Sequence, residues 1–164
     1  MSDLVNKSIA IAIPFIINVP SSIITRNEVK TWYMTIIKPS FTPPKYVFGP
    51  VWSMLYGTMG YSSYLIWKEG AFTSETKLPL LLYGSQLLFN SAWSLIFFGR
   101  HKIGWAAVDI SLLYLNVWAC FITFRPINKN ASNLLIPYIA WLTLAGAINI
   151  RTWQLNKRNK SASE

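Results

Sequence analysis

Side chains able to do covalent or acid–base chemistry are few in this 164-residue chain. There is one cysteine, Cys120, one histidine, His101, and six carboxylates, of which only Asp109 lies inside a long apolar run. Nucleophilic catalysis needs a nucleophile beside a base, and phosphate chemistry needs a glycine-rich loop. Neither pattern occurs, nor does a pair of carboxylates. His101 stands between Arg100 and Lys102 with no second ligand of its kind. It reads as a solvated loop residue, and no metal or other cofactor is expected. Cys120 reads as a buried, inert thiol and excludes an internal disulfide. No catalytic residue is assigned, and an enzyme is the less favoured class. Tryptophan, by contrast, is abundant, with eight residues. An indole in an apolar run offers a flat face and one N–H, which suits stacking on a ligand and orienting it rather than breaking its bonds.

Such residues need elements to hold them. The chain is 52% hydrophobic and 15% aromatic, with a mean hydropathy of +0.33, too apolar for a typical soluble domain. Apolar runs at 8–25, 46–67, 78–99, 103–124 and 131–153 are each long enough to cross a ~30 Å hydrocarbon core as a helix. The run at 46–67 holds 22 residues without a charge. The first is the weakest, interrupted by Asn18, Pro20, Ser21 and Ser22. Preceded only by Lys7 and followed by no good cleavage site, it reads as a retained helix rather than a signal peptide. Most connections are short. The exception, 26–45, contains Pro39, Pro43 and Pro44, which cannot extend a helix and so predict a shaped cover. The expected fold is therefore all-α, a single polytopic membrane domain over 1–164. It comprises five transmembrane helices, a loop lid at 26–45 between the first two, and a basic tail at 154–164.

A net charge of +9 would also suit a nucleic-acid binder. Here, though, Lys and Arg fall in short clusters between apolar runs, as in membrane proteins, and no nucleic-acid partner is expected. Ten basic residues lie on the side of the proline-rich loop: Arg26, Lys30, Lys38 and Lys45, then Arg100 and Lys102, then Arg151, Lys157, Arg158 and Lys160. The other side has five: Lys7, Lys68, Lys77, Arg125 and Lys129. The excess predicts a cytosolic loop and C-terminus.

Depth along each helix gathers the unusual residues beneath that loop. Asp109 lies about 8–9 Å into the fourth helix. Asn90, Trp93 and Asn149 occupy the same half of the third and fifth, Trp52 a similar depth in the second, and Trp105 the mouth of the fourth. Trp141 is nearer the midplane. Trp67, Trp118 and Trp153, near run ends, read as interfacial belt residues. Trp52, Trp93 and Trp141 are candidates for lining a pocket or for core packing. Asn90 and Asn149 would either contact a ligand or join helices by hydrogen bonds.

Several motifs, in order along the chain, resemble the translocator protein family, also called peripheral-type benzodiazepine receptor or tryptophan-rich sensory protein. They are Trp32-Tyr33, Lys38-Pro39-Ser40, Pro43-Pro44, Pro50-Val51-Trp52, Trp93 with Phe97-Phe98-Gly99, Gly104-Trp105 with Asp109, and Pro137-Tyr138 with Trp141. The resemblance covers roughly 32–156 and is closer to animal members. It implies a five-helix receptor or carrier whose first loop closes a pocket for flat hydrophobic ligands. Those ligands are porphyrins and other haem precursors, benzodiazepine- and isoquinoline-type drugs and, in animals, cholesterol. It also implies a role in tetrapyrrole or sterol transport and the mitochondrial outer membrane as location. The pocket so implied uses Ser22, Thr25, Phe48, Gly49, Trp52, Trp93, Trp105, Asp109, Leu112, Trp141, Ala145 and Ile148. Light-dependent porphyrin degradation through Trp52 and Trp141, a scaffold acting through protein partners, and a homodimer are the alternatives. The sequence departs from animal members at Phe41 and Ser91, where they carry tryptophan. Ile150 and Gln154 break the sterol motif of the last helix.

Overall fold

The computed structural model describes residues 3–162. Residues 163 and 164 of the expected basic tail, and the side chain of Lys160, lie outside the described residues. Six α-helices follow in order: α1 (Asp3–Glu28), α2 (Lys45–Lys68), α3 (Lys77–Ser94), α4 (Ile103–Phe124), the short α5 (Lys129–Asn133) and α6 (Ile136–Ala162). Among the described residues there is no strand.

The first run forms a longer helix than its interruptions suggested, passing through Pro14 and Pro20. Asn18 supports it locally, its Nδ2 donating to the Pro14 carbonyl at 2.9 Å. Pro14 has no N–H to return to Ala10, one turn back. The freed Ala10 carbonyl faces Gly60 of α2, where a Cβ would lie 2.7 Å from that oxygen and 2.7 Å from the Ile11 Cα. Only glycine permits this approach, so the α1–α2 seam is backbone against backbone.

The fifth run is not one helix. The chain tightens at Leu134 and Leu135, whose amides bond the Asn130 and Ser132 carbonyls at 3.1 and 3.0 Å. Pro137, just beyond, cannot donate to a preceding turn, so α6 starts afresh there. It then runs on through the expected tail to Ala162. α3 passes into a π-helical turn, Leu95–Gly99. This wider turn buries the consecutive rings of Phe97 and Phe98, which are 4% and 6% exposed. His101 then adopts a left-handed conformation, φ 53°. The Lys102 amide bonds back to the Ile96 carbonyl at 3.1 Å, closing the helix end.

In the bundle, α1 packs on α2 and α3, α3 on α4, and α4 on α6, while α6 touches α2 only lightly. Leu55, Met59, Leu87, Leu113, Val117, Tyr138 and Leu142 belong to one central core. Phe97, Phe98 and Ala106 form a second cluster at the loop end. Cys120 is buried, as expected. Four segments are long and apolar enough to cross a membrane: Asp3–Glu28, Lys77–Gly99, Ile103–Phe124 and Lys129–Asn159. α2 falls below them in hydropathy because Tyr, Trp, Ser, Thr and Gly fill much of it. Its 24 residues still extend about 36 Å. The chain is an all-α polytopic membrane bundle.

Candidate functional site

The site begins with aromatic residues on α2 and α6. Pro50 occurs within the first turns of α2, a position a helix tolerates. Phe48 and Trp52, four apart, lie on one face of α2, and both meet Trp141 of α6. The Phe48 and Trp141 rings are 5.6 Å apart and edge-on. The Trp52 and Trp141 rings are 6.4 Å apart at 88°. Trp52 also packs edge-on against Tyr138 at 6.1 Å. All three site aromatics are half-buried. Ala145, one turn beyond Trp141, is also half-buried and packs on the same core.

Behind these rings a chain of side-chain hydrogen bonds crosses the interior. Tyr56 donates to Asn90 Oδ1 at 3.1 Å, and Asn90 Nδ2 donates to the Tyr138 hydroxyl at 3.0 Å. Tyr138 in turn donates to Gln86 Oε1 at 3.1 Å. Nearer the loop, Trp93 Nε1 donates to Asn149 Oδ1 at 2.8 Å, and Asn149 Nδ2 donates to the Ile103 carbonyl at 2.9 Å. Asn90 and Asn149 thus each join three segments. Of the two roles open to them in the sequence, the interhelical one is filled here.

Three other candidates carry buried polar atoms without a hydrogen-bond partner: Thr25 Oγ1, Asp109 Oδ2 and Trp141 Nε1. Asp109 is only 8% exposed. Ile148 is half-buried, whereas Ser22 and Gly49 are exposed. Trp105 and Leu112 fall elsewhere. They are 70% and 47% exposed and continue a stripe with Val108, Leu115, Trp118 and Ile122 along α4. The structure therefore brings Phe48, Trp52 and Trp141 together and pairs Trp93 with Asn149. It sets Trp105 and Leu112 on another face.

Segment 29–44 is ordered by its own side chains. Trp32 and Tyr33 lie in a 3₁₀ turn, Trp32–Met34. Trp32 meets Phe97 and Phe98 edge-on at 5.5 and 6.5 Å and stacks on His101 at 4.1 Å and 12°. Lys38 Nζ donates to the Tyr33 and Ile36 carbonyls at 2.7 and 3.0 Å and lies 4.6 Å from the Tyr33 ring centre. Burial raises the pKa of the Tyr33 phenol above its ordinary value. The Ile37 amide donates to Asn156 Oδ1 at 3.1 Å, and Asn156 Nδ2 returns a bond to the Ile37 carbonyl at 2.8 Å. A concavity of about 310 Å³ is folded into the segment, lined by Tyr33, Lys38, Pro39, Thr42 and Pro43 among others.

His101 is thus more than a solvated loop residue. It is exposed, but its Nε2 lies 3.0 Å from Glu28 Oε2 while its ring stacks on Trp32. Sequence reasoning also passed over Gln86 and Asn156. Gln86, a buried polar residue in an uncharged run, could have been found by the same rule that found Asn90. Nothing local marks Asn156, whose partner is 119 residues away.

The TspO/MBR family pattern matches residues 10–154. The translocator protein of Bos taurus is 44% identical over 138 residues, covering 84% of this chain and 82% of that protein. That of Homo sapiens is 45% identical over 126 residues, covering 76% and 75%. The tryptophan-rich protein TspO of Chlorobaculum tepidum is 34% identical over 135 residues, covering 82% and 85%. With the family pattern spanning residues 10–154 and animal and bacterial relatives aligned over most of their length, the chain belongs to the TspO/MBR family.

Proposed function

We propose that this protein is a membrane receptor or carrier for flat hydrophobic ligands, bound against the aromatics of α2 and α6 beneath the 29–44 loop. Porphyrins, benzodiazepine- and isoquinoline-type drugs and cholesterol are the ligand classes, with tetrapyrrole or sterol transport as the role. The mitochondrial outer membrane, with the loop and C-terminus cytosolic, is the proposed location. The observation that carries the reading is the set of unpartnered atoms on three helices. An orphaned polar group inside a bilayer is costly, and a bound molecule is one way to satisfy it. Asp109 Oδ2 would accept from a ligand, Trp141 Nε1 would donate, and Thr25 Oγ1 can do either. Counted along the helices, Thr25 lies three residues from the end of α1, Asp109 six from the start of α4, and Trp141 eight from Asn149, which bonds the first residue of α4, so these atoms sit roughly 4, 9 and 12 Å deep. That spread suits an extended planar molecule with polar edges. Phe48, Trp52 and Trp141 would supply the stacking faces, with Ala145 and Ile148 leaving a thin wall beside them.

Because the Trp52 and Trp141 rings already touch edge-on, binding requires them to part. Protoporphyrin added in the dark to the purified protein is expected to quench tryptophan emission saturably, and Trp52→Ala to weaken its affinity about tenfold. Emission unaffected by porphyrin, or a Trp52→Ala variant that binds as tightly as the parent, would overturn the proposal. The near-perpendicular tryptophan pair also supports a second reading, light-dependent porphyrin degradation through Trp52 and Trp141. In that case, illumination yields a porphyrin product that the Trp52→Phe/Trp141→Phe variant does not form. Equal product from parent and variant removes that reading.

A further inference from the structure

A second site lies outside the α2–α6 region. Where the π-turn after α3 meets the start of α4, a groove of about 390 Å³ opens on the surface, lined by Ala92, Leu95, Ile96, Arg100, Lys102 and Trp105. Its wall is apolar, and two of its residues are large hydrophobics left uncovered: Trp105 is 70% and Leu95 38% exposed. Its rim is cationic. Among the described residues the ion pairs are Lys68–Asp3 and His101–Glu28, and neither neutralises Arg100 or Lys102. The rim is also held in place. His101, between the two cations, is fixed by its left-handed backbone, its Trp32 stack and its bond to Glu28.

The depth of this groove identifies what fits it. Lys102 ends the connection and Trp105 lies three residues on, about 4–5 Å further into the bundle. The groove therefore starts at the membrane boundary, where tryptophan favours the headgroup level, and descends along acyl chains. A soluble anion would match the two cations but leave the apolar wall wet. A neutral lipid would cover the wall but leave the cations unmatched. We propose that this groove is a binding site for an anionic glycerophospholipid. Arg100 and Lys102 hold its phosphate, and Leu95, Ile96 and the Trp105 ring flank the upper part of an acyl chain. Nothing in this proposal depends on what the α2–α6 aromatics bind.

The test uses the full chain in nanodiscs and in detergent. Native mass spectrometry would compare retained phosphatidylglycerol with retained phosphatidylcholine. Phosphatidylglycerol brominated near the top of its acyl chain would report on Trp105 by quenching. The parent is expected to retain phosphatidylglycerol about tenfold over phosphatidylcholine. Arg100→Ala/Lys102→Ala should abolish that preference, Arg100→Lys/Lys102→Arg should largely restore it, and Trp105→Phe should lower the quenching. Because both cations are exposed, these variants are expected to fold. Arg100→Gln alone, with a partial loss of preference, provides a milder check. The proposal fails if the alanine double variant keeps the parent's preference, if the brominated lipid quenches equally in Trp105→Phe, or if millimolar inorganic phosphate displaces the lipid.

Discussion

The bundle core and the loop-end cluster are both aromatic-rich, yet they are built on different physics. In the core, Tyr56, Asn90, Tyr138 and Gln86 satisfy one another by side-chain hydrogen bonds, because at that depth no water is available to them. At the loop end, Trp32, Tyr33, Phe97, Phe98 and His101 meet mainly ring to ring. There the polar work is done by backbone groups, through Lys38, Asn156 and the closing bond from Lys102 to Ile96. Among the described residues, Trp93 alone packs against both clusters, stacking on Phe97 at 5.1 Å and reaching Asn149 of α6 with its N–H. A core of satisfied networks resists change as a unit, whereas a cluster of rings tied to backbone can open piecemeal. The difference puts cross-linked polar side chains in the bundle and ring packing tied to backbone at the loop.

The largest effect is expected where neither cluster can compensate. Gly60→Val places branched carbon where the α1 backbone already passes, with both nearest atoms 2.7 Å from the Cβ position and neither a flexible side chain. Separating α1 from α2 should cost about 3 kcal/mol or more and sharply reduce the folded yield in detergent. A variant that unfolds at the parent temperature would mean the seam is slack. Less severe is Tyr138→Phe, which keeps the ring but removes the hydroxyl shared by Asn90 and Gln86. About 1–2 kcal/mol of stability should be lost, read as a lower thermal midpoint. Exchange of the Ile37 amide should stay at the parent rate in native conditions. Faster Ile37 exchange in native conditions would show that the two regions are not separable.

How far such contrasts can be read from sequence depends on the range of the signal. The spans were legible because a bilayer forces uncharged stretches of a set length, and the α4 bounds match the expected 103–124. Loop, C-terminus and α3–α4 turn meet at one end, as five antiparallel crossings require. Periodicity, however, carries no depth of burial. The family resemblance put both Trp105 and Trp93 in the pocket, but one is 70% exposed and the other bridges two clusters. Pro20 read as an interruption because its cost is local, while the tertiary packing that keeps α1 continuous is not. The π-turn at Phe97 left no local mark, and Asn156 looked like one polar residue in a basic tail.

Asn156 provides the most delicate test of the contrast. Its amide makes a reciprocal pair with the Ile37 backbone, 3.1 Å in one direction and 2.8 Å in the other, and also donates to the Thr152 carbonyl at 2.7 Å. The two bonds to Ile37 are exposed, so water replaces most of what Asn156→Ala removes there. The thermal midpoint should stay within about 1–2 °C of the parent. The local effect is different in kind. Ile37 loses the partner that fixes the middle of the loop to α6, and its amide exchange should rise about fivefold, equivalent to roughly 1 kcal/mol of local opening. Asn156→Asp retains the acceptor for the Ile37 N–H but loses the donor to its carbonyl, so its exchange should fall between parent and alanine variant. Combined with Tyr138→Phe, Asn156→Ala should give additive changes, since the two sites share no partner. A clear departure from additivity would make Trp93, which packs against both clusters, the first residue to suspect as the coupling between them.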